Sequence, residues 1–164
     1  MIDRCRIRPF EPDDLSRLHE IRVAAFRPVF ESFRSIVGDT IAPIAIAQDE
    51  RDQAEHLDSI CKPGADQEMH VVELDDEIVA FCALSLNRKA GIGEIGLNAV
   101  DPARQGKGIG TWMYAAMLDR LKQAGMAVAT VGTGGDSSHA PARRAYEKAG
   151  FGPFIPSVYY YRAL

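Results

Sequence analysis

The sequence lacks an excess of basic residues, which argues against two classes of partner. It has 19 lysines and arginines against 23 acidic residues, a formal net charge of −4 over 164 residues. Binding to nucleic acid or to an anionic membrane gains from a positive surface that releases counterions. We therefore expect no nucleic acid and no membrane as partners, and any anionic ligand must be held by local charges and hydrogen bonds.

Long apolar runs and paired cysteines are also missing. No uncharged apolar stretch approaches the roughly 18 residues of a membrane-spanning helix, and the first residues contain no apolar segment of signal-peptide length. The three cysteines, Cys5, Cys61 and Cys82, form no CxxC pair, and Cys82 lies inside the apolar run IVAFCALSL. Such thiols are typical of buried residues rather than of disulfides or metal ligands. These absences predict a soluble, cytoplasmic protein without a metal.

What is present is enough apolar sequence for one core. Hydrophobic residues make up 46% of a chain whose 164 residues suit one domain rather than two. No internal repeat or low-complexity segment interrupts it. We therefore expect a single domain over residues 1–164.

The first two thirds of the chain predict a mixture of strands and helices. Residues 27–66 are expected to be mostly helical. Around them, periodicity predicts a strand in CRIRPF, a helix in PDDLSRLHEIRVAAF, a hairpin of MHVVEL and IVAFCALSL joined at DDE, and a third strand in EIGLNAV.

The last third predicts a helix in QGKGIGTWMYAAMLDRLKQAG, a strand in MAVATVG, a serine-capped helix in SSHAPARRAYEKAGF and a closing strand in SVYYYRAL. The first of these helices would have one apolar face, formed by Ile109, Trp112, Met113, Ala116, Met117 and Leu121. A strand, a helix and a strand in this order favour a parallel crossover. The predicted fold class is therefore α+β, with a mixed, mostly antiparallel twisted sheet flanked by helices and containing one parallel crossover.

A glycine-rich stretch, RQGKGIGTW, opens the helix after EIGLNAV. Gly106, Gly108 and Gly110 lack a Cβ atom, so the backbone can turn tightly and direct several N–H groups of the opening helical turn at one anion. Arg104 and Lys107 would add positive charge. The pattern predicts a phosphate or pyrophosphate cradle, although a simple strand-to-helix turn that binds nothing would need the same glycines.

Two motifs in the sequence resemble the signatures of a known protein superfamily. Gln105-x-x-Gly108-x-Gly110, following GEIGLNAVDP, resembles the coenzyme A pyrophosphate loop of the GNAT (GCN5-related N-acetyltransferase) superfamily. HAPARRAYEKAGF is similar to the second signature of that superfamily, Asn-x-x-Ala-x-x-x-Tyr-x-x-x-Gly-Phe, with His139 in the place of the asparagine. The resemblance implies a GNAT-like acetyltransferase domain that uses acetyl-CoA as co-substrate.

The resemblance also implies which residues hold acetyl-CoA. A bulged strand would place the backbone N–H of Asn98 at the acetyl carbonyl and the backbone of Val100 beside the pantetheine arm. The full set of cofactor-binding residues that it implies is Asn98, Ala99, Val100, Arg104, Gln105, Gly106, Lys107, Gly108, Ile109, Gly110, Thr111, His139 and Ala142.

Transfer of an acetyl group from a thioester to an amine needs a neutral amine, donors for the developing oxyanion and a proton for the thiolate. The resemblance aligns Glu94 with the general base and places the hydroxyl of Tyr146 near the sulfur as proton donor. Strict alternation along EIGLNAV would put Glu94, Gly96, Asn98 and Val100 on one face and Ile95, Leu97 and Ala99 on the other. By pattern alone, Glu94 can equally be a solvated carboxylate and Tyr146 a packed core residue.

The sequence constrains the identity of the acetyl acceptor less than that of the cofactor. Residues 49–68 contain seven acidic side chains against Arg51 and Lys62, which is compatible with a cationic amine but equally with the solvent face of an amphipathic helix. The predicted function is an N-acetyltransferase that acts on a primary amine of a small molecule or peptide by direct attack in a ternary complex. The alternatives are a non-catalytic acyl-CoA binding or sensing domain and an unrelated phosphate-binding protein. The segment VYYYRAL could be an edge strand that pairs in a homodimer.

Overall fold

The structure, a computed structural model, describes residues 2–164. Five strands form one sheet in chain order. They are β1 (Cys5–Pro9), β2 (Gln67–Leu74), β3 (Glu77–Asn87), β4 (Ile92–Val100) and β5 (Val128–Val131). The helices are α1 (Leu15–Val37), α2 (Ala45–Ile60), α3 (Ile109–Gln123) and α4 (Ala140–Lys148).

The sheet is mixed, as the sequence predicted. Strands β1 to β4 pair antiparallel, whereas β5 runs parallel to β4. Two parallel neighbours need a long connection, and α3 supplies it between β4 and β5. The α+β class, the mostly antiparallel sheet and the single parallel crossover are therefore confirmed.

The tight hairpin between β2 and β3 follows from its two turn residues. Leu74 pairs with Glu77, so only Asp75 and Asp76 lie between the strands. Both aspartates have positive φ, 55° and 65°. A two-residue hairpin that matches the twist of its strands needs positive φ at both positions, and aspartate tolerates this conformation better than most residues. The hairpin that the sequence predicted at DDE is confirmed.

The sheet separates two apolar cores. On one face, α3 and α4 cover it, with Ile109, Met113, Met117, Leu121 and Tyr146 among the buried side chains. On the other face, α1 and α2 cover it, with Leu18, Ile21, Leu57 and Ile60 buried. We call these the α3 face and the α1 face. The apolar stripe predicted for α3 is confirmed, and Tyr114 joins it as a further buried residue.

Helix α1 is longer than the periodicity predicted, because it continues through Pro28 to Val37. A proline inside a helix lacks the N–H that would bond the carbonyl four residues earlier. Tertiary contacts compensate for this loss, since Phe30 is buried against Ala42 and Ile46 in a small third core. The helical character predicted for residues 27–66 is thus confirmed in α1 and α2.

Two predictions about the chain's last segments are wrong. The N-cap residue of α4 is His139 and not a serine; the short 3-10 turn before it, Ser137–His139, is capped by Asp136, whose side chain accepts from the N–H of Ser138. The predicted closing strand SVYYYRAL is absent: residues 151–164 contain no strand in the part of the chain that is described. No backbone hydrogen bond joins residues 152–164 to the rest of residues 2–164, and a strand without a neighbour has no partner for its N–H and C=O groups.

The buried His70 makes the stability of the fold depend on pH. His70 lies on β2 opposite Cys82 and is 4% exposed. Burial, and secondly the positive charge of Arg120, lower the pKa of His70 below its ordinary value of 6.5. Below pH 6.5 the unfolded chain binds a proton at His70, whereas the folded chain does not. The free energy of unfolding therefore falls with decreasing pH until the pKa of His70 in the folded protein is reached.

We therefore expect the free energy of unfolding, measured by urea titration, to decrease as the pH is lowered through about 6.5. In the variant His70→Gln this part of the decrease should disappear. The exposed His56 provides the matched control, and His56→Gln should keep the full pH dependence. An unchanged pH profile in His70→Gln would show that His70 does not cause it.

Candidate active site

A bulge in β4 organises the candidate site. Cys82 of β3 pairs with Asn98 and Leu84 pairs with Ile95, so Gly96 and Leu97 of β4 together oppose one residue of β3. An extra residue in one strand is a β-bulge, and it shifts the alternation of side chains beyond it. Accordingly, Ile95 and Val100 pack on the α3 face, whereas Leu97 and Ala99 pack on the α1 face.

The bulge corrects the strict alternation that the sequence analysis assumed. Glu94 precedes Ile95 and therefore points to the α1 face, where it pairs in register with Ser85 and Thr130 and is exposed. Asn98 lies beyond the bulge and points to the α3 face, where it contacts Tyr114 and Tyr146. The side chains of Glu94 and Asn98 are thus on opposite faces of the sheet, and not on one face as predicted.

Next to the bulge the sheet opens. The pairing of β4 with β5 ends at Ile95 and Val131, so within residues 2–164 the edge of β4 has no strand beside it from Gly96 onward. The N–H of Asp101 donates to Val79 on the β3 side, 2.8 Å away. Since N–H groups alternate along a strand, those of Val100 and Asn98 point to the open edge. The backbone N–H groups of Asn98 and Val100, which the resemblance assigns to the acetyl carbonyl and the pantetheine arm, are therefore not hydrogen-bonded to β5.

The glycine stretch follows directly. Gly106 and Gly108 have positive φ, 73° and 84°, and Gly108 caps α3 in the left-handed conformation. The first helical bond runs from Trp112 to Gly108, and the N–H groups from Gly106 to Thr111 have no backbone acceptor within residues 2–164. The predicted turn is confirmed, and its unpaired N–H groups suit an anion. Gly110 differs because it is helical, and a Cβ atom there would lie 3.5 Å from Val100.

The cations near this turn are already engaged. Arg104 forms an ion pair with Glu77 at 2.9 Å. Lys107 donates from Nζ to the carbonyl of Ala103, 3.2 Å away. Arg143, which flanks α4, donates to the carbonyls of Gly134 and Asp136 and so holds the loop before α4. Main-chain groups, rather than unpaired side-chain charges, are the donors that the turn offers most directly.

Three side chains form a buried polar chain behind the bulge. Tyr114 donates from its hydroxyl to Oδ1 of Asn98 at 2.8 Å. Nδ2 of Asn98 donates to the hydroxyl of Tyr146 at 3.2 Å and to the carbonyl of Gly96 at 2.8 Å. The two tyrosine rings pack 4.7 Å apart. The structure thus brings Tyr146 of α4 directly against Asn98 of β4, two residues that the sequence analysis placed in one site.

Burial raises the pKa of the Tyr146 hydroxyl above its ordinary value of 10.0, although the hydrogen bond from Asn98 and the neighbouring Tyr114 hydroxyl act in the opposite direction. Tyr146 therefore keeps its proton at neutral pH. The Tyr146 hydroxyl oxygen accepts the hydrogen bond from Nδ2 of Asn98, so its own O–H remains available to donate to a different acceptor. The chemistry of this group is that of a proton donor.

Sequence reasoning missed Tyr114. Its only local signal is that it follows Gly110 by four residues and precedes Met117 by three, which is the spacing of a buried helical stripe. Its hydroxyl acquires a role only because Asn98 arrives from another element.

A second missed residue is Gln67 of β2. Its Oε1 is buried without a hydrogen-bond partner in the described chain. The same atom lies 3.2 Å from the position that a Cβ atom of Gly96 would occupy, so it sits over the bulge. Gln67, Ser85 and Glu94 are paired in register across β2, β3 and β4 and therefore share one face. They form a polar row on the α1 face of the sheet.

His139, which replaces the signature asparagine, has partners within the protein. Its Nδ1 lies 2.6 Å from Oδ1 of Asp136, and its ring packs 5.7 Å from that of Phe33 in α1. Burial alone would raise the pKa of Asp136, but hydrogen bonds from Ser138, His139 and Ser32 lower it well below its ordinary value. The cluster ties α1 to the beginning of α4, where Ala142 packs against the core of the α3 face.

The acidic residues of the segment 49–68 are partly neutralised. Ion pairs join Glu50 to Arg34 and Glu68 to Arg120, and Asp58 is hydrogen-bonded to His19. Leu57 and Ile60 are buried on the opposite side of α2. The segment therefore has the amphipathic character that the sequence allowed, with acids on its outer side.

Within residues 2–164 there is neither a cluster of metal ligands nor a helix that could span a membrane. No three His, Cys, Asp or Glu side chains lie together as metal ligands would. None of the helices is both long and apolar enough to span a membrane.

Burial raises the pKa of the Cys61 thiol to about 11 and that of Cys82 to about 12, so these thiols are protonated at neutral pH.

Comparison with known proteins decides the family. The family model described as "Acetyltransferase (GNAT) family" matches residues 19–151. The chain belongs to this family. The match includes β2 to β5, both sequence signatures and α4, so the bulge, the open edge and the glycine turn all lie within it.

The GNAT fold is also found in solved structures. A GNAT-family protein from Desulfovibrio desulfuricans has a TM-score of 0.69 at 19% identity, covering 92% of this chain and 87% of that one. A GNAT acetyltransferase from Brucella melitensis in complex with acetyl-CoA has a TM-score of 0.61 at 25% identity, covering 93% and 91%.

A curated relative, the mycothiol acetyltransferase of Sanguibacter keddieii, is 38% identical over 86 residues, which is 49% of this chain and 27% of the relative. The chain thus matches about a quarter of the relative's length.

The buried polar chain should be visible as an energetic coupling. We expect Asn98→Ala to lower the free energy of unfolding by about 2 to 3 kcal/mol, because it leaves buried tyrosine hydroxyls unpaired. Tyr114→Phe should cost about 1 kcal/mol alone and distinctly less in the Asn98→Ala background. Urea denaturation of the four proteins measures the difference.

Asn87→Ala, which removes a turn contact to Ala90, is the matched control and should be additive with Tyr114→Phe. Additivity of the Asn98 and Tyr114 substitutions would contradict a shared hydrogen-bond chain.

Proposed function

We propose that the protein is an N-acetyltransferase that moves the acetyl group of acetyl-CoA to a primary amine of a small molecule or peptide. The amine attacks directly while both substrates are bound. The observation that carries this proposal is the meeting of three features at one place: the open main chain of the β4 bulge, the unpaired N–H groups after Gly106, and the Tyr146 hydroxyl held by Asn98.

The residues after β4 fit the diphosphate of coenzyme A. Successive unpaired N–H groups at the start of a helix, opened by glycines in the left-handed conformation, favour two adjacent phosphates. Gly106, Lys107, Gly108, Ile109, Gly110 and Thr111 would supply these groups, with Arg104 and Gln105 at the upstream edge. The related Brucella protein is in complex with acetyl-CoA, which supports acetyl-CoA as the ligand of this domain.

The open edge of β4 would bind the rest of the cofactor. The N–H of Asn98 would donate to the acetyl carbonyl and stabilise negative charge on its oxygen as the amine attacks. Ala99 and Val100 would line the pantetheine arm, and His139 and Ala142 would border it from α4. Acetyl-CoA supplies the activated acyl group, and the protein holds that group at the bulge.

The two proton transfers fall to residues on opposite faces. On the α3 face, the protonated Tyr146 would donate to the departing sulfur, since its hydroxyl is the buried donor next to Asn98. On the α1 face, Glu94 would accept a proton from the ammonium form of the acceptor, directly or through a water molecule. The acceptor would thus approach from the α1 face while the cofactor lies on the α3 side, and they would meet where β5 leaves β4.

An amine is the acceptor that this face favours. The buried Oε1 of Gln67 can only accept hydrogen bonds, and it lies over the bulge in the same row as Glu94. An incoming N–H group would satisfy it. The acids of α2 that form no ion pair within residues 2–164, such as Asp49 and Glu55, would add a negative field along the approach to this row.

Two measurements test the proposal in sequence. Titration calorimetry with acetyl-CoA should give a heat of binding, which a protein without the cradle would not show. Mass spectrometry of a panel of primary amines incubated with acetyl-CoA and the protein should then detect products heavier by one acetyl group. Binding without any acetylated product across polyamines, aminoglycosides and lysine peptides would support the non-catalytic acyl-CoA domain instead.

Cofactor affinity should depend on the turn at Gly108. We expect Gly108→Val to weaken acetyl-CoA binding at least tenfold, because a branched side chain disfavours the left-handed φ of 84° and crowds the N–H groups. Gly64→Val is the matched control, since Gly64 has a φ of 80° with nothing within 4 Å of a Cβ atom. It carries the same backbone strain and should retain normal affinity. Equal losses in both variants would remove the turn from the binding site.

Turnover should depend on the Tyr146 hydroxyl. We expect Tyr146→Phe to lower kcat by about 10²-fold or more, while the dissociation constant of acetyl-CoA changes little. The exposed Tyr159 supplies the control, and Tyr159→Phe should keep the parent kcat. Steady-state kinetics and calorimetry on the same preparations separate the two effects. A parent-like kcat in Tyr146→Phe would exclude it as the proton donor.

A further inference from the structure

The loop between β5 and α4 carries a histidine with one ring nitrogen held and the other free. Nδ1 of His139 lies 2.6 Å from Oδ1 of Asp136. Nε2 makes no hydrogen bond within residues 2–164 and is not buried, and the side chain is 15% exposed. The ring is therefore fixed on one side and accessible to a ligand on the other.

Asp136 determines which nitrogen of the ring carries the proton. Its Oδ2 accepts from the hydroxyl of Ser32, 2.9 Å away, and from the N–H and the hydroxyl of Ser138. Burial tends to raise the pKa of Asp136, but these bonds and the one from His139 lower it well below its ordinary value. An ionised carboxylate can only accept hydrogen bonds, so Nδ1 donates and Nε2 of the neutral ring has a lone pair. Nε2 is therefore a proton acceptor.

The neighbours of His139 place it where the sheet opens. Its ring centroid lies 5.7 Å from that of Phe33 in α1, which covers the α1 face. Helix α4, which begins directly after His139, covers the α3 face. Elements on opposite faces meet only past an edge or an end of the sheet. Because the loop with His139 follows Val131, where the pairing of β5 with β4 ends, this meeting point is the end of β5.

His139 also lies on the same side of α4 as the proposed proton donor. His139, Ala142 and Tyr146 follow one another at intervals of three and four residues, which is the spacing of one helix face. Ala142 and Tyr146 pack in the core of the α3 face. Side chains of a helix lean toward its N-terminus, so Tyr146 leans toward the end of α4 that carries His139. The two groups therefore border the same opening.

The loop before α4 is fitted to the ring. A Cβ atom on Gly134 would lie 2.4 Å from Nδ1 of His139, so the ring occupies space that only glycine leaves free. Arg143 donates to the carbonyls of Gly134 and Asp136 and holds both residues against α4. A ring set by a close backbone contact, a charged partner and an aromatic neighbour is preorganised, as a group that meets a substrate must be.

We propose that His139, oriented by Asp136, is a second base of the acetyl transfer, and that its Nε2 removes the proton which the acceptor nitrogen must lose after it attacks the acetyl carbonyl. The step rests on the proposed function, because it belongs to the same transfer. Asp136 is a positioning residue, which keeps the lone pair on Nε2 and stabilises the imidazolium that forms.

The protons of the reaction balance with two bases and one acid. An ammonium acceptor gives its first proton to Glu94 and becomes a neutral amine. Attack forms the N–C bond and leaves a positive charge on nitrogen, and Nε2 of His139 takes the second proton. The C–S bond breaks, and the sulfur takes the proton of Tyr146. Transfer from His139 back to Tyr146 restores both groups, and the proton on Glu94 leaves to solvent as the one proton released per turnover.

Replacement of His139 by the asparagine of the family signature separates a base from a cofactor contact. We expect His139→Asn to leave the dissociation constant of acetyl-CoA near that of the parent and to lower kcat by about 10²-fold or more. In His139→Ala, added imidazole should restore turnover in proportion to its concentration. His19, hydrogen-bonded to Asp58 at 2.8 Å between α1 and α2, is a histidine–carboxylate pair elsewhere, and His19→Asn should keep the parent kcat.

A double-mutant cycle tests the role of Asp136. Asp136→Asn should lower kcat about tenfold or more in the parent and have little further effect in the His139→Asn background, because the carboxylate acts through the ring. Circular dichroism and calorimetry with acetyl-CoA on the same preparations separate loss of turnover from loss of the fold or of cofactor binding. Effects that multiply in the double variant would overturn the positioning role.

The results distinguish this step from the activity itself. A parent protein that binds acetyl-CoA and acetylates none of the amines would overturn the proposed function and this step together. An active parent with an equally active His139→Asn variant, or a His139→Ala variant that imidazole does not rescue, would overturn the second base alone.

Discussion

The extra residue in β4 is the constraint on which the rest of the site depends. Because Gly96 and Leu97 together oppose one residue of β3, the strand bends, its later side chains change faces, and β5 can pair with β4 only as far as Ile95. Without the bulge, the ladder would continue and the N–H groups of Asn98 and Val100 would face a neighbouring strand. A sheet that is otherwise closed by hydrogen bonds is thus opened at one place, where main-chain donors become available to a ligand.

The bulge is supported from the α3 face by the polar chain of Tyr114, Asn98 and Tyr146. Nδ2 of Asn98 bonds the carbonyl of Gly96 within the bulge as well as the Tyr146 hydroxyl, so the same amide fixes the strand and the side chain beside it. Helix α3 contributes both Tyr114, in its first half, and the glycine turn at its N-terminus. The groups that would hold the diphosphate, the thioester and the leaving sulfur are therefore connected through one strand and one helix.

The other face of the sheet has a different character. The row of Gln67, Ser85 and Glu94 is polar, and α2, on the same face of the sheet, carries acids on its outer side. If the acceptor amine approaches from this face, as we propose, the sheet itself separates the two substrates except at the opening beside β5.

Local patterns in the sequence were sufficient for the hairpin at Asp75 and Asp76, the apolar stripe of α3, the glycine turn, and the crossover to β5. All of these depend on neighbouring residues or on the order of elements. The two sequence signatures, the glycine-rich turn and HAPARRAYEKAGF, indicated the family in the same way. The position of the bulge, the separation of Glu94 from Asn98, and the roles of Tyr114 and Gln67 depended on which residues meet across strands and helices. The continuation of α1 past Pro28 depended on the contacts of Phe30 with the third core. Residues 152–164, by contrast, form no strand because no backbone hydrogen bond joins them to the rest of residues 2–164. Propensity and periodicity describe what a segment can form, whereas the pairing partner, which only the tertiary structure supplies, decides whether it forms and which way its side chains point.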